Sequence, residues 1–163
     1  DEVVKEIQGI EVKEEQDIQI DIDVSSYIPD SFIDNNSQKI EIYQNIALCR
    51  TEEDIQNVID EIIDRYGHMP SELENLIEIA RIKNLCRVAN VIKISQRKEK
   101  VVFYFDKAKF NPEIVDKLIK KYNTNIRFST GIEPYVTVTI GSKIIEEIKE
   151  FLTYIQNCTT SSM

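Results

Sequence analysis

The sequence predicts an α+β fold: an N-terminal strand and a three-helix layer, followed by a β-β-α-β-β-α half whose helices pack on one sheet face. Three observations lead there. Residues 17–24 alternate polar and aliphatic side chains with period two, the pattern of a half-buried strand. Residues 38–88 carry three successive apolar stripes at helical spacing. After Asn90 the pattern shortens to that of strands again, interrupted by two more helical segments.

The first strand places Ile18, Ile20, Ile22 and Val24 on its inward face, and a turn follows at Ile28-Pro29-Asp30. Asp34, Asn35, Asn36 and Ser37 are all candidate caps for a helix over residues 38–49, with Ile40, Ile42, Tyr43, Ile46, Ala47 and Leu48 on its apolar side. Thr51-Glu52-Glu53-Asp54 has the form of a capping box, with Asp in the third helical position. It opens a second helix with the stripe Ile55, Val58, Ile59, Ile62, Ile63 and Tyr66, closed by Gly67. Pro70 and Ser71 start a third, with Leu73, Leu76, Ile77, Ala80, Leu85 and Val88 inward. Residues 91–95 and 101–105 read as a hairpin around the charged turn 96–99. Asn111-Pro112-Glu113 starts a helix to Tyr122, residues 126–129 and 135–140 form two strands around Thr130-Gly131, and residues 143–155 form a final helix.

A chain of 163 residues with 42% hydrophobic and 30% charged residues suits one soluble domain, placed at 17–157. Residues 1–16 read as an acidic linker from a preceding region, and residues 158–163, rich in Ser and Thr, as a disordered tail. The start at Asp1, inside a polar stretch and without Met, suggests a piece of a longer polypeptide. No apolar run approaches a bilayer span and no secretory signal is visible, so the expected setting is cytoplasmic, away from membranes.

Little in the sequence supports chemistry. The four glycines are scattered and build no phosphate cradle. His68 is the sole histidine and sits at a turn, a poor basis for a nucleophile-base pair or a zinc site. Cys49, Cys86 and Cys158 form no CxxC pair and read as buried free thiols. The expectation is no catalytic residue, no metal and no cofactor in this chain. A net charge of −9 argues against direct nucleic-acid contact and for a basic partner surface. Phe103, Tyr104 and Phe105 alternate between strand faces and read as packing rather than as a base-stacking platform.

Three blocks carry a resemblance. Ile28-Pro29-Asp30-Ser31-Phe32-Ile33 precedes Lys39-Ile40-Glu41-Ile42-Tyr43-Gln44-Asn45-Ile46-Ala47. Ile63-Asp64-Arg65-Tyr66-Gly67-His68-Met69-Pro70 comes next, then Leu76-Ile77-Glu78-Ile79-Ala80-Arg81-Ile82-Lys83. In order and spacing, over residues 17–155, this resembles the C-terminal domain of the bacterial transcription-repair coupling factors, the Mfd family of superfamily-2 DNA translocases. Lys39 stands where the family usually has Arg, and Gln44-Asn45 where it has Lys-Arg.

The resemblance implies a longer protein holding an ATP- and magnesium-dependent motor, an RNA polymerase-binding module and a UvrB-like N-terminal module. It also implies that this domain docks on the UvrB-like module, masks the surface that recruits UvrA and restrains the translocase in transcription-coupled nucleotide excision repair. Glu61, Asp64 and Arg65 match the family's polar docking positions. Their spacing, i, i+3 and i+4, puts them on one helical face, opposite Ile55, Ile59 and Ile62. The same spacing also suits a solvated face with Arg65 paired to Glu61 near the helix C-terminus. Two other readings use the same residues. One is a free-standing acidic adaptor; the other is a magnesium enzyme built on scattered carboxylates, which no motif supports.

Overall fold

A computed structural model describes residues 17–129 and 131–161, with side chains described as far as Cys158. The linker expected over residues 1–16 lies outside the described residues, as do Thr130, Ser162 and Met163. The elements in chain order are β1 (Gln19–Asp21), α1 (Asn36–Ala47), α2 (Glu52–Tyr66), α3 (Ser71–Ala89), β2 (Val91–Arg97), β3 (Lys100–Phe105), α4 (Ile114–Tyr122), β4 (Ile126–Ser129), β5 (Tyr135–Thr139) and α5 (Ile144–Ser161). This is the expected α+β order.

Local chemistry explains the boundaries. Asn35 caps α1 by accepting from the Gln38 N–H. At α2, Thr51 Oγ1 accepts from the Asp54 N–H at 3.0 Å, and Asp54 accepts from the Thr51 N–H at 3.2 Å, so the predicted capping box is formed. Gly67 ends α2 at φ +92°, a conformation that side chains with a Cβ rarely adopt. Asn90 ends α3 in the left-handed region and turns the chain directly into β2. The β2-β3 turn is tighter than expected: Arg97 pairs with Lys100, leaving Lys98-Glu99 as a two-residue connection.

The sheet order is β1-β2-β3-β5-β4, with β1 parallel to β2 and all other pairs antiparallel. The three-helix layer is therefore the crossover between two parallel neighbours. Ile94, Phe103 and Val136 align across the strands and face α3, α4 and α5, which cover one side of the sheet as predicted. Phe103 meets Phe151 of α5 at 4.2 Å between ring centroids. Tyr104 points to the other face, beside Tyr135 and Lys93.

Two cores result. The helical one gathers Ile28, Ile33, Ile42, Ile46, Ile55 and Ile62 with Leu73 and Ile77 of α3. The sheet core takes Ile82, Cys86 and Ala89 from the same helix. All three cysteines are buried free thiols, as the sequence suggests. Burial pushes the Cys86 thiol up to about 12, which keeps it protonated at neutral pH.

Several expectations need correction. The first strand covers only Gln19–Asp21, because beyond it the Asp23 N–H bonds the Gln96 side chain and the backbone bends, while Ile22 and Val24 stay half-buried. Asn111-Pro112-Glu113 forms a turn before α4 rather than its first residues. Residues 158–161 are not a disordered tail: α5 continues through them, because Cys158 is buried against the sheet core. Ile40, Leu48, Ile63 and Val88 are exposed, so the buried stripes of the first three helices are narrower than their apolar spacing suggests. Among the described residues no helix is long and apolar enough to cross a membrane.

Candidate interdomain docking face

Glu61, Asp64 and Arg65 all lie on the exposed side of the last two turns of α2, while Ile55 and Ile62 are buried and Ile59 is half-buried on the other side. The structure brings two of the three together. Arg65 Nη1 reaches Glu61 Oε2 at 3.3 Å, one helical turn away. It also lies 4.0 Å from Glu41 of α1, and its guanidinium sits 5.1 Å from the centre of the Tyr66 ring. Asp64 takes part in none of these contacts.

These ion pairs are partly solvated, with Arg65 37% and Glu61 54% exposed in their side chains. Pairs of this kind contribute about 0.2–1 kcal/mol each, so they orient the arginine more than they stabilise the fold. Beneath them lies a dimple lined by Ile42, Asn45, Val58, Ile62 and Tyr66, with room for about 10 Å³. That is space for one water at most, so the face suits a complementary surface rather than a small ligand. The Tyr66 hydroxyl at its base is buried and has no hydrogen-bond partner among the described residues.

Asp64 is the odd member. It stands in the last turn of α2, where the helix dipole disfavours negative charge, and it has no ion-pair partner among the described residues. Acids in the first turn behave in the opposite way. Hydrogen bonds donated by the Arg50 and Thr51 backbones hold the Asp54 carboxyl below its ordinary value.

Sequence reasoning missed Glu41 and the ring of Tyr66 as parts of this face. Glu41 lies 24 positions before Arg65 on a different helix, and the only available signal was its place in the block that precedes Ile42. A second charged cluster was also invisible in sequence. Glu52 of α2, Arg81 and Glu78 of α3 and Lys149 of α5 are linked at 2.7, 2.7 and 2.6 Å. Donation to the Glu52 carboxylate holds the Arg81 guanidinium above its ordinary range, against the opposing effect of burial, with Glu78 assisting.

Comparison with known proteins identifies the family of the chain. The family model described as the TRCF domain matches residues 22–114. A transcription-repair-coupling factor of Rickettsia prowazekii (strain Madrid E) is 30% identical over 138 residues, covering 82% of this chain and 12% of that protein. The corresponding Bacillus subtilis (strain 168) factor is 36% identical over 101 residues, 61% of this chain and 9% of that protein. The chain thus spans about an eighth or less of the length of these relatives. A crystal structure of the C-terminal domain of a transcription-repair coupling factor superposes with a TM-score of 0.74 at 22% identity, covering 91% of this chain and 99% of that one, a likeness in fold. The three sequence blocks, the α+β architecture and these matches agree: the chain belongs to the TRCF domain family of transcription-repair coupling factors.

Proposed function

We propose that this chain is a regulatory domain without catalytic residues or cofactor of its own, which docks reversibly through Glu61, Asp64 and Arg65 on the UvrB-like module of the same polypeptide. Docked, it covers the surface that recruits UvrA and restrains the ATP- and magnesium-driven DNA translocase; RNA polymerase engagement releases it. The domain itself holds no DNA, consistent with its net charge of −9.

Asp64 carries this reading. Its exposed carboxylate opposes its own helix dipole, at about 0.3–1 kcal/mol, and gains no cation among the described residues. A basic group on a partner would complete it. Arg65, already turned by Glu61, Glu41 and Tyr66, offers a guanidinium beside it for a partner carboxylate or ring. A few such pairs supply the few kcal/mol that a switch needs while leaving it reversible.

The test is calorimetric titration of this chain into the isolated UvrB-like module, with Glu61→Ala/Asp64→Ala/Arg65→Ala and Asp64→Asn as variants. Binding lost in the triple variant, together with an Asp64→Asn chain that melts slightly higher yet binds more weakly, supports docking. Unchanged binding by both variants places the contact elsewhere and overturns the assignment.

A further inference from the structure

We infer that the open face of the sheet binds single-stranded RNA. The helices α3, α4 and α5 cover one side of the sheet, and among the described residues neither hydrophobic core takes a side chain from the other. Of the run Phe103-Tyr104-Phe105, the two phenylalanines enter the sheet core and Tyr104 does not. Strand pairing sets Lys93, Tyr104 and Tyr135 in one row across β2, β3 and β5 on the open side. The two tyrosine rings are 5.5 Å apart between centroids, and the Lys93 ammonium lies 5.5 Å from the centre of the Tyr104 ring. Tyr135 is 37% exposed and Tyr104 half-buried. Arg97 and Lys100 pair across the β2-β3 hairpin on the same face, roughly 13 Å along the strands from this row. Arg127 stands on β4, opposite Thr137 and diagonal to Tyr135. Ser95 and Val102, in the row between, are short and buried, so an occupant meets the rings and the cations first.

Charge and ring chemistry together select the occupant. The chain has 29 acids to 20 bases, yet the described strands bring four cations and one acid, Asp21, to this face. Glu99 and Glu133 lie in the connections beyond the strand ends. A net charge of −9 weighs against nucleic acid where the two signs are evenly mixed, and here bases from three strands are gathered on one side. An acidic peptide would meet the cations and leave the rings unused. A nucleic-acid strand uses both, its bases stacking on the rings and its phosphates meeting the cations. The bases must be free of one another to do so, which excludes the duplex that a DNA translocase follows. Ser129, opposite Tyr135, and Thr137, two residues along β5, set hydroxyls beside the rings, where a ribose 2′-hydroxyl finds a partner. The face lies on other elements than Asp64 and does not depend on the docking proposed above.

The test is a titration of this chain into a fluorescently labelled oligouridylate at low salt, followed by anisotropy. A deoxyuridylate strand of the same length, an RNA duplex and a glutamate peptide serve as the other probes. The RNA strand is expected to bind, the DNA strand several-fold more weakly, and the duplex and the peptide more weakly still. Tyr135→Leu weakens the RNA strand about fivefold or more. Lys100→Gln and Arg127→Gln each reduce the steepness of the log–log salt dependence by about 0.7. All three of these side chains are exposed, and a melt of each variant confirms that the fold is kept. The triple variant of Glu61, Asp64 and Arg65 binds the RNA like the parent. No binding of the RNA strand, equal binding of the DNA strand or the duplex, or binding undiminished by Tyr135→Leu overturns the proposal. So does tighter binding of the glutamate peptide, which would make an acidic protein segment the occupant.

Discussion

The helical core and the sheet core are built differently although they share α3. The helical core is aliphatic: isoleucines from three segments meet Leu73 and Ile77, and its aromatic neighbours Phe32 and Tyr66 remain partly exposed. In the sheet core Phe103, Phe105 and Phe151 are buried, and long-range strand pairing holds its parts together. A helix can bury one stripe against its neighbours with local contacts, whereas a sheet needs partners distant in the chain. The candidate docking face belongs to the first kind of structure. Its residues sit on one helix and its immediate neighbour, so its geometry survives independently of strand order.

The largest test of this contrast is cavity formation. Phe151→Ala should destabilise the chain by about 3–5 kcal/mol and Leu73→Ala by about 2–5, read from denaturant unfolding. Native-state hydrogen exchange should then rise first in α1 and α2 for Leu73→Ala, and first in the strands for Phe151→Ala. Identical exchange maps would show the two cores to be one cooperative unit. Next comes the charged seam. Arg81 bridges α2 and α3, and Glu78 carries the link on to Lys149 of α5. Arg81→Ala is expected to cost about 1–2 kcal/mol, since it leaves Glu52 without this partner and Glu78 with Lys149 alone. It should also widen any difference between the two cores in exchange.

The smallest effect lies at the capping box. Thr51→Ala should cost about 1 kcal/mol, expressed in α2 alone. Because the folded Asp54 carboxyl is held below its ordinary value, its contribution is fully present above about pH 4. It is lost as the pH falls from there through the lowered folded-state value. Asp54→Asn should therefore flatten part of the acid limb of the stability curve, measured by melts between mildly and strongly acidic pH. An unchanged acid limb would mean that the box does not couple to folding.

Legibility in the sequence followed the range of the interactions. Caps and turns were readable because a side chain meets a backbone group three residues away, as at Thr51 and Asp54. Glu61 and Arg65 were readable as neighbours for the same reason. The third helix was readable as a helix but not in its burial. Leu73 and Ile77 face one core while Ile82, Cys86 and Ala89 face the other, and two stripes on one helix blur any single period. The end of α5 failed for a related reason: Ser- and Thr-rich composition resembles a tail, yet Cys158 is held by the sheet core.

By itself the sequence determined the order and type of the elements, their caps, the shared face of Glu61, Asp64 and Arg65, and the blocks that mark the TRCF domain. Tertiary structure alone decided the strand order β1-β2-β3-β5-β4, the approach of Glu41 to Arg65 and the bridge through Arg81. The reason is physical. Periodicity and capping record what a residue meets within a turn or two of its own chain, whereas pairing between distant segments depends on how whole faces bury against one another.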